Sequence, residues 1–136
     1  MDLDEASKKM LVMVLSLAKK ELLDKVIKGV KGCTPILAYL EDNKEKDVLV
    51  GDIASFYNLS TARIAVAIDV LAKKEFVKKY KPIEDKRKTI VRITKEGEEF
   101  LSKAFKEVES VFVSLLKKLS EDEQAEYIRL SEKMVS

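Results

Sequence analysis

Histidine and tryptophan are absent from this 136-residue chain, cysteine occurs once, proline twice and glycine four times. Without histidine there is no Ser/His/Asp or Cys/His catalytic pair, and the commonest metal ligand is missing. The single cysteine, Cys33, makes neither an intrachain disulfide nor a cysteine-based zinc site. No glycine-rich phosphate loop is present either. These absences point away from an enzyme and from any metal or cofactor, and the cysteine usage fits a reducing, cytoplasmic setting. The apolar run Met10 to Ala18 is interrupted by Ser16, follows the acidic residues Asp2, Asp4 and Glu5, and is too short to span a bilayer. No membrane association is expected.

What is present is a hydrophobic fraction of 46% beside a charged fraction of 37%, enough apolar residue for one core under a dense ionic surface. The net charge is only +2, but it is unevenly spread. Between residues 73 and 95, Lys73, Lys74, Lys78, Lys79, Lys81, Lys86, Arg87, Lys88, Arg92 and Lys95 face only Glu75, Glu84 and Asp85. One short segment is strongly cationic inside a nearly neutral protein.

The periodicity predicts a long amphipathic helix from about Asp2 to Val30, ended by Gly29 and Gly32. Met10, Leu11, Val12, Met13, Val14 and Leu15 make its middle apolar on nearly every side, which calls for a second chain as cover. Thr34-Pro35 opens a short helix to about Leu40, and Glu41 to Asp47 reads as a solvated connection. A β-branched stretch, Val48 to Val50, precedes a helix over Ile53–Tyr57 that Gly51-Asp52 opens. Asn58 then supplies a left-handed turn residue, Leu59 a buried turn residue, and Ser60 the cap of a helix running to about Lys74. Phe76 to Lys81 and Lys88 to Ile93 read as an antiparallel hairpin around a polar turn at residues 82–87. Thr94 caps a helix of about five turns, and Ser120 with Glu123 forms a capping box for a last helix. Ile53, Ala54, Leu59, Ile64, Ile68 and Leu71 are expected in the core, as are the Met, Phe and Tyr residues at helical spacing.

In Gly51-Asp52-Ile53-Ala54, Asn58-Leu59-Ser60, Val70-Leu71-Ala72-Lys73-Lys74, Glu84-Asp85-Lys86-Arg87-Lys88 and Arg92-Ile93-Thr94-Lys95-Glu96-Gly97 the chain resembles the MarR family of transcription regulators. The likeness runs from about Thr34 to Met134. It implies a mainly α fold with a small β-hairpin: a winged helix-turn-helix, residues 34–96, flanked by N- and C-terminal dimerisation helices, residues 1–33 and 97–136. It also implies a homodimeric regulator of transcription that binds double-stranded DNA at a pseudopalindromic operator. The second helix of the motif would enter the major groove with Thr61, Ala62, Ala65, Val66 and Asp69 at the bases and Arg63 in its first turn. Arg87 matches the wing-tip arginine of the family and Asp85 its partner, while Lys79, Lys81, Lys86 and Lys88 suit phosphates.

Two positions depart from the family, which often has arginine at Val66 and usually glycine at Glu75. With Arg63 alone able to grip guanine, specificity falls to thymine-methyl contacts from Ala62, Ala65 and Val66, to Thr61, and to DNA shape read by Arg87, or DNA binding is weak. The resemblance further implies a small aromatic or anionic effector, for which Tyr39, Phe56 and Tyr57 are the candidate residues, and an oxidant-sensing alternative for Cys33, which otherwise reads as an inert small hydrophobe. A winged helix that binds protein instead of DNA is the rival reading.

Overall fold

The computed structural model describes residues 1–19 and 34–136. In chain order these form α1 (Leu3–Lys19), α2 (Thr34–Asp42), β1 (Val48–Leu49), α3 (Val50–Tyr57), α4 (Thr61–Lys73), β2 (Val77–Tyr80), β3 (Ile90–Ile93), α5 (Lys95–Leu116) and α6 (Glu121–Val135). The expected end of the first helix at Gly29 and Gly32, and Cys33, lie outside the described residues. No helix among the described residues is long and apolar enough to cross a membrane.

The chain divides into two compact units, Met1–Val26 with Lys106–Ser136, and Ile27–Phe105. In the second unit Leu37, Ile53 and Val91 are wholly buried, and Leu40, Val48, Ile64, Ile68, Leu71, Val77 and Leu101 nearly so, joining α2, α3, α4, the sheet and the start of α5. Burial of each such side chain is worth about 1.5–3 kcal/mol. The sheet is antiparallel in the order β1-β3-β2, with Val48 opposite Val91 and Val77 opposite Ile93. Alternation therefore puts Val77, Lys79, Val91 and Ile93 on one face, against which α4 packs, and Lys78, Tyr80 and Arg92 on the other.

Local chemistry explains most boundaries. Asp2 accepts from the Glu5 amide at 2.8 Å and caps α1. Asp52 reaches back 2.9 Å to the Leu49 amide, which starts α3 at Val50, three residues before the expected onset. Asn58 adopts φ 53°, so that the Asn58 and Leu59 amides bond the carbonyls of Ser55 and Ala54 and close α3. Ser60 Oγ then accepts from the Arg63 amide at 3.2 Å. Leu59, expected in the core, is 40% exposed. Its backbone completes the turn, and the inward-facing positions around it are already filled by Ile53, Ala54 and Ile64.

The end of α4 repeats this geometry with a less suitable residue. Glu75 takes φ 65°, its amide bonds Ala72 O at 3.0 Å and the Phe76 amide bonds Leu71 O at 3.0 Å. A Cβ at such a φ costs about 1–2 kcal/mol, which glycine avoids. The carbonyls of this turn are held from the far side of the hairpin. The Thr94 amide donates to Phe76 O at 3.0 Å and the Thr94 hydroxyl to Glu75 O at 2.6 Å, while Thr94 Oγ1 accepts from the Gly97 amide at 3.0 Å and caps α5. The strands are shorter than the expected 76–81 and 88–93, because Pro82 has no amide to continue the ladder; Lys81 Nζ instead bonds Thr89 Oγ1 at 3.0 Å across the gap.

In the other unit, Val108 and Val111 of α5 are buried, whereas no residue of α6 is. Ser120 and Glu123 form the expected reciprocal capping box, at 3.2 and 2.8 Å. Met10 and Met13, for which the sequence calls for a second chain as cover, are exposed in the single chain, as are Phe105, Phe112, Tyr127 and Met134, expected in the core. Helical spacing shows that such residues share a face, but not that the same chain covers it.

Two substitutions check the α4 turn and its clasp. An alanine Cβ at Gly97 would lie 2.2 Å from Phe76 O and 2.8 Å from Ile93 Cγ1, and that carbonyl is pinned by Thr94. Gly97→Ala should therefore lower stability by about 1–3 kcal/mol despite its better helix propensity, measured by denaturant unfolding. Glu75→Gly should raise stability by about 1 kcal/mol in the same assay; an unchanged midpoint would mean the positive φ is not strained.

Candidate nucleic-acid interface

Along α4, Ile64, Ile68 and Leu71 face the core. On a helix of 3.6 residues per turn the line opposite them carries Ala62, Val66, Asp69 and Lys73, flanked by Arg63 and Val70 on one side and Ala65 on the other. Ala62, Arg63, Val66, Asp69, Val70 and Lys73 are all exposed.

Beside this line the chain forms a groove of about 480 Å³ whose walls include Leu49, Gly51, Asp52, Thr61, Ala62, Ala65, Arg87, Lys88 and Thr89. It brings together five of the expected DNA-facing residues from two elements: Thr61, Ala62 and Ala65 on α4, and Arg87 and Lys88 on the hairpin loop. Gly51, Asp52 and Thr89 were not among them. Their place depends on the pairing of Leu49 with Ile90, a contact between segments about forty residues apart that leaves no local signal.

Two ion pairs shape the cationic segment. Lys79, on the sheet face that α4 covers, bonds Asp69 at 2.5 Å and ties α4 to β2. That hydrogen bond and the lysine charge hold the Asp69 carboxyl below the usual carboxylate range. Both residues were expected at DNA, but each already engages the other. In the loop, Arg87 Nε and its backbone amide each donate to Asp85 Oδ1 at 3.0 Å, and Arg87 Nη2 donates to Oδ2 at 3.4 Å. These bonds depress the Asp85 carboxyl as well, the guanidinium first and the amide second. The Arg87 side chain remains 92% exposed while Asp85 is largely covered, so the carboxylate aims the arginine outward without hiding it. Lys81 is engaged by Thr89; Lys86 and Lys88 are exposed. On the opposite sheet face Arg92 pairs with Asp47. Ile83, an apolar residue amid these charges, is almost fully exposed in the same loop.

Residues 34–113, which include this α-helix and the hairpin loop with its outward arginine, match the family model described as a winged helix DNA-binding domain. The chain belongs to this winged-helix family. Among curated protein sequences none matches it. Solved structures share its fold over nearly the whole length. YusO from Bacillus subtilis is 18% identical with a TM-score of 0.79, covering 99% of this chain and 98% of its own. MarR is 20% identical with a TM-score of 0.70, covering 99% and 92%. A point mutant of S. aureus MepR bound to an oligodeoxyribonucleotide is similar at 18% identity and TM-score 0.69, covering 95% of both chains. MepR bound to ethidium bromide is similar at 17% identity and TM-score 0.67, covering 91% and 93%. The fold is thus the one the sequence resemblance implied: mainly helical, with a small sheet and a winged helix-turn-helix.

The three aromatics considered for an effector also meet in this winged helix. Phe56 lies 4.9 Å from both Tyr39 and Tyr57, centroid to centroid, and Tyr39 lies 6.4 Å from Tyr57. The Tyr57 hydroxyl donates to Pro35 O at 2.6 Å, and burial pushes that phenol up. Phe56 caps the cluster with 66% of its surface exposed.

The depressed carboxyl of Asp85 gives a direct check on the wing. A lowered folded-state value means that the Asp85–Arg87 contact contributes above the unfolded carboxylate value of about 3.9 and is lost as pH falls through the folded value. In Arg87→Ala only the backbone amide and the Lys88 charge remain, so the Asp85 midpoint, followed by carboxyl-carbon NMR, should rise toward the ordinary value. An unmoved midpoint would remove Arg87 as its cause.

Proposed function

We propose that this protein is a regulator of transcription that binds double-stranded DNA as a homodimer on a pseudopalindromic operator. The observation that carries the reading is the groove in which Thr61, Ala62 and Ala65 of α4 stand with Arg87 and Lys88 of the wing, with Arg87 held outward by Asp85. α4 fits a major groove, and an outward arginine suits the narrow, electronegative minor groove beside it. Arg63, Val66 and the exposed lysines Lys86 and Lys88 extend the surface, and Lys79, Lys81 and Asp69 brace it. A point mutant of MepR, of like fold, has been seen with an oligodeoxyribonucleotide.

In this reading residues 34–96 are the DNA-binding lobe and residues 1–33 with 97–136 the dimerisation region. Support for the dimer comes from the apolar residues exposed there, Met10 to Leu15 on α1 and Tyr127, Ile128, Leu130 and Met134 on α6. Two-fold symmetry then sets the recognition helices about 34 Å apart, one turn of DNA. The Tyr39, Phe56 and Tyr57 cluster is the place for an aromatic or anionic effector that releases the operator. MepR has also been seen with ethidium bromide, an aromatic compound. Repression in the cytoplasm is the role this describes.

The exposed apolar residues Val66 and Val70 on α4 favour one rival, a winged helix that docks on protein. Titrating duplex DNA at two salt concentrations while recording the mass of the free protein separates the two. We expect a dimer whose affinity falls steeply with salt, and an Arg87→Ala variant that binds more weakly with a log–log salt slope smaller by about one. A dimer without duplex affinity at low salt selects the protein-binding rival, and a stable monomer removes the two-fold operator.

A further inference from the structure

The line of α4 that faces away from the core carries almost no group able to read a base edge by hydrogen bonding. The Ala62 side chain has no polar atom, Val66 is 66% exposed with two methyl groups at its tip, and Val70 flanks it. Asp69, the one carboxylate on the line, is drawn to Lys79 at 2.5 Å, so it is turned toward β2 instead of toward a cytosine amino group. Lys73 lies in the last turn, and Arg63 sits on the flank in the first turn. An apolar tip pressed against guanine or cytosine would leave the base acceptors and donors of the major groove unpaired, whereas the 5-methyl group of thymine offers it an apolar surface of its own.

We infer that Val66 is a specificity-determining residue that reads the 5-methyl group of thymine, with Ala62 and Ala65 as neighbours, so that the base pairs under the middle of α4 are A·T. This rests on the DNA-binding reading above and deepens it, since it assigns the sequence class of the half-site. Arg87 of the wing addresses a different property, the width and potential of the minor groove, and does not touch the thymine methyl, which lies in the major groove. The two contributions are therefore separable by chemistry on the DNA.

The test uses the full-length protein and three alternating duplexes of about 24 base pairs, long enough for two half-sites: A·T, the same duplex with every thymine replaced by uracil, and G·C. Fluorescence anisotropy at one fixed salt concentration gives the three affinities. The expected order is A·T above A·U by about tenfold, roughly the burial of one methyl group in each of two half-sites, with G·C weakest. Val66→Ser, at an exposed position where folding can be confirmed by the thermal midpoint, should bring A·T and A·U to equal affinity. Arg87→Ala should weaken all binding but keep the preference for A·T over A·U. Equal binding of A·T and A·U by the native protein, or a methyl preference that survives in Val66→Ser, overturns the assignment while leaving DNA binding intact. Absence of binding to all three duplexes at low salt overturns the DNA-binding reading itself, and the assignment falls with it.

Discussion

Two adjacent carbonyls, those of Glu75 and Phe76, hold the winged helix together at the point where several elements meet. Thr94 takes both, one with its hydroxyl and one with its amide, and passes its own oxygen to the amide of Gly97. The end of α4, the start of β2, the end of β3 and the start of α5 are thereby set against each other. Strand pairing has a period of two, so a slip of one residue here would turn Lys79 to the opposite face of the sheet and away from Asp69. The loop that carries Arg87 would shift with it. Gly97 is required because the clasp leaves no room for a Cβ, and Glu75 is tolerated because the bonds around it outweigh its strained φ.

The charges of the cationic segment are organised by the few acids within reach of it. Asp69, Asp85 and Asp47 each take one basic side chain: Lys79, Arg87 and Arg92. Exposed pairs of this kind contribute little to folding stability. Their effect is geometric: one joins α4 to the sheet, one directs an arginine out of the hairpin, and one ties β3 to the segment before β1. A flexible lysine-rich loop would attract polyanions without orientation, whereas an arginine braced by a carboxylate and a backbone turn presents its guanidinium in one direction.

Much of this was legible locally. Asn58 at a left-handed turn, Ser60 as a cap, the Ser120–Glu123 box, Thr94 at the head of α5 and the polar turn between two β-branched runs all act within four residues or so of their partners, and each adopts the expected geometry. The partner of Asp69 lies ten residues away on another element, and that of Arg92 forty-five, so neither pairing had a signature in the chain. Leu59 is exposed for a related reason: apolar character marks a residue that can be buried, but Ile53, Ala54 and Ile64 of the flanking helices already fill the space. The same holds for the Phe, Tyr and Met residues of α5 and α6, whose shared faces are apparent in the sequence but whose cover is not.

The order of the elements, their caps and the left-handed turn at Asn58 are local, because each depends on side chains competing for the backbone groups nearest to them, and the concentration of positive charge in the hairpin is read directly from composition. Long-range packing set the rest: that Thr61, Ala62 and Ala65 share a groove with Arg87 and Lys88, that Asp69 pairs with Lys79, and that Val66 is left exposed on α4. Those outcomes depend on sheet register and on which face of a helix the core claims, and both are set by contacts between segments far apart in the chain.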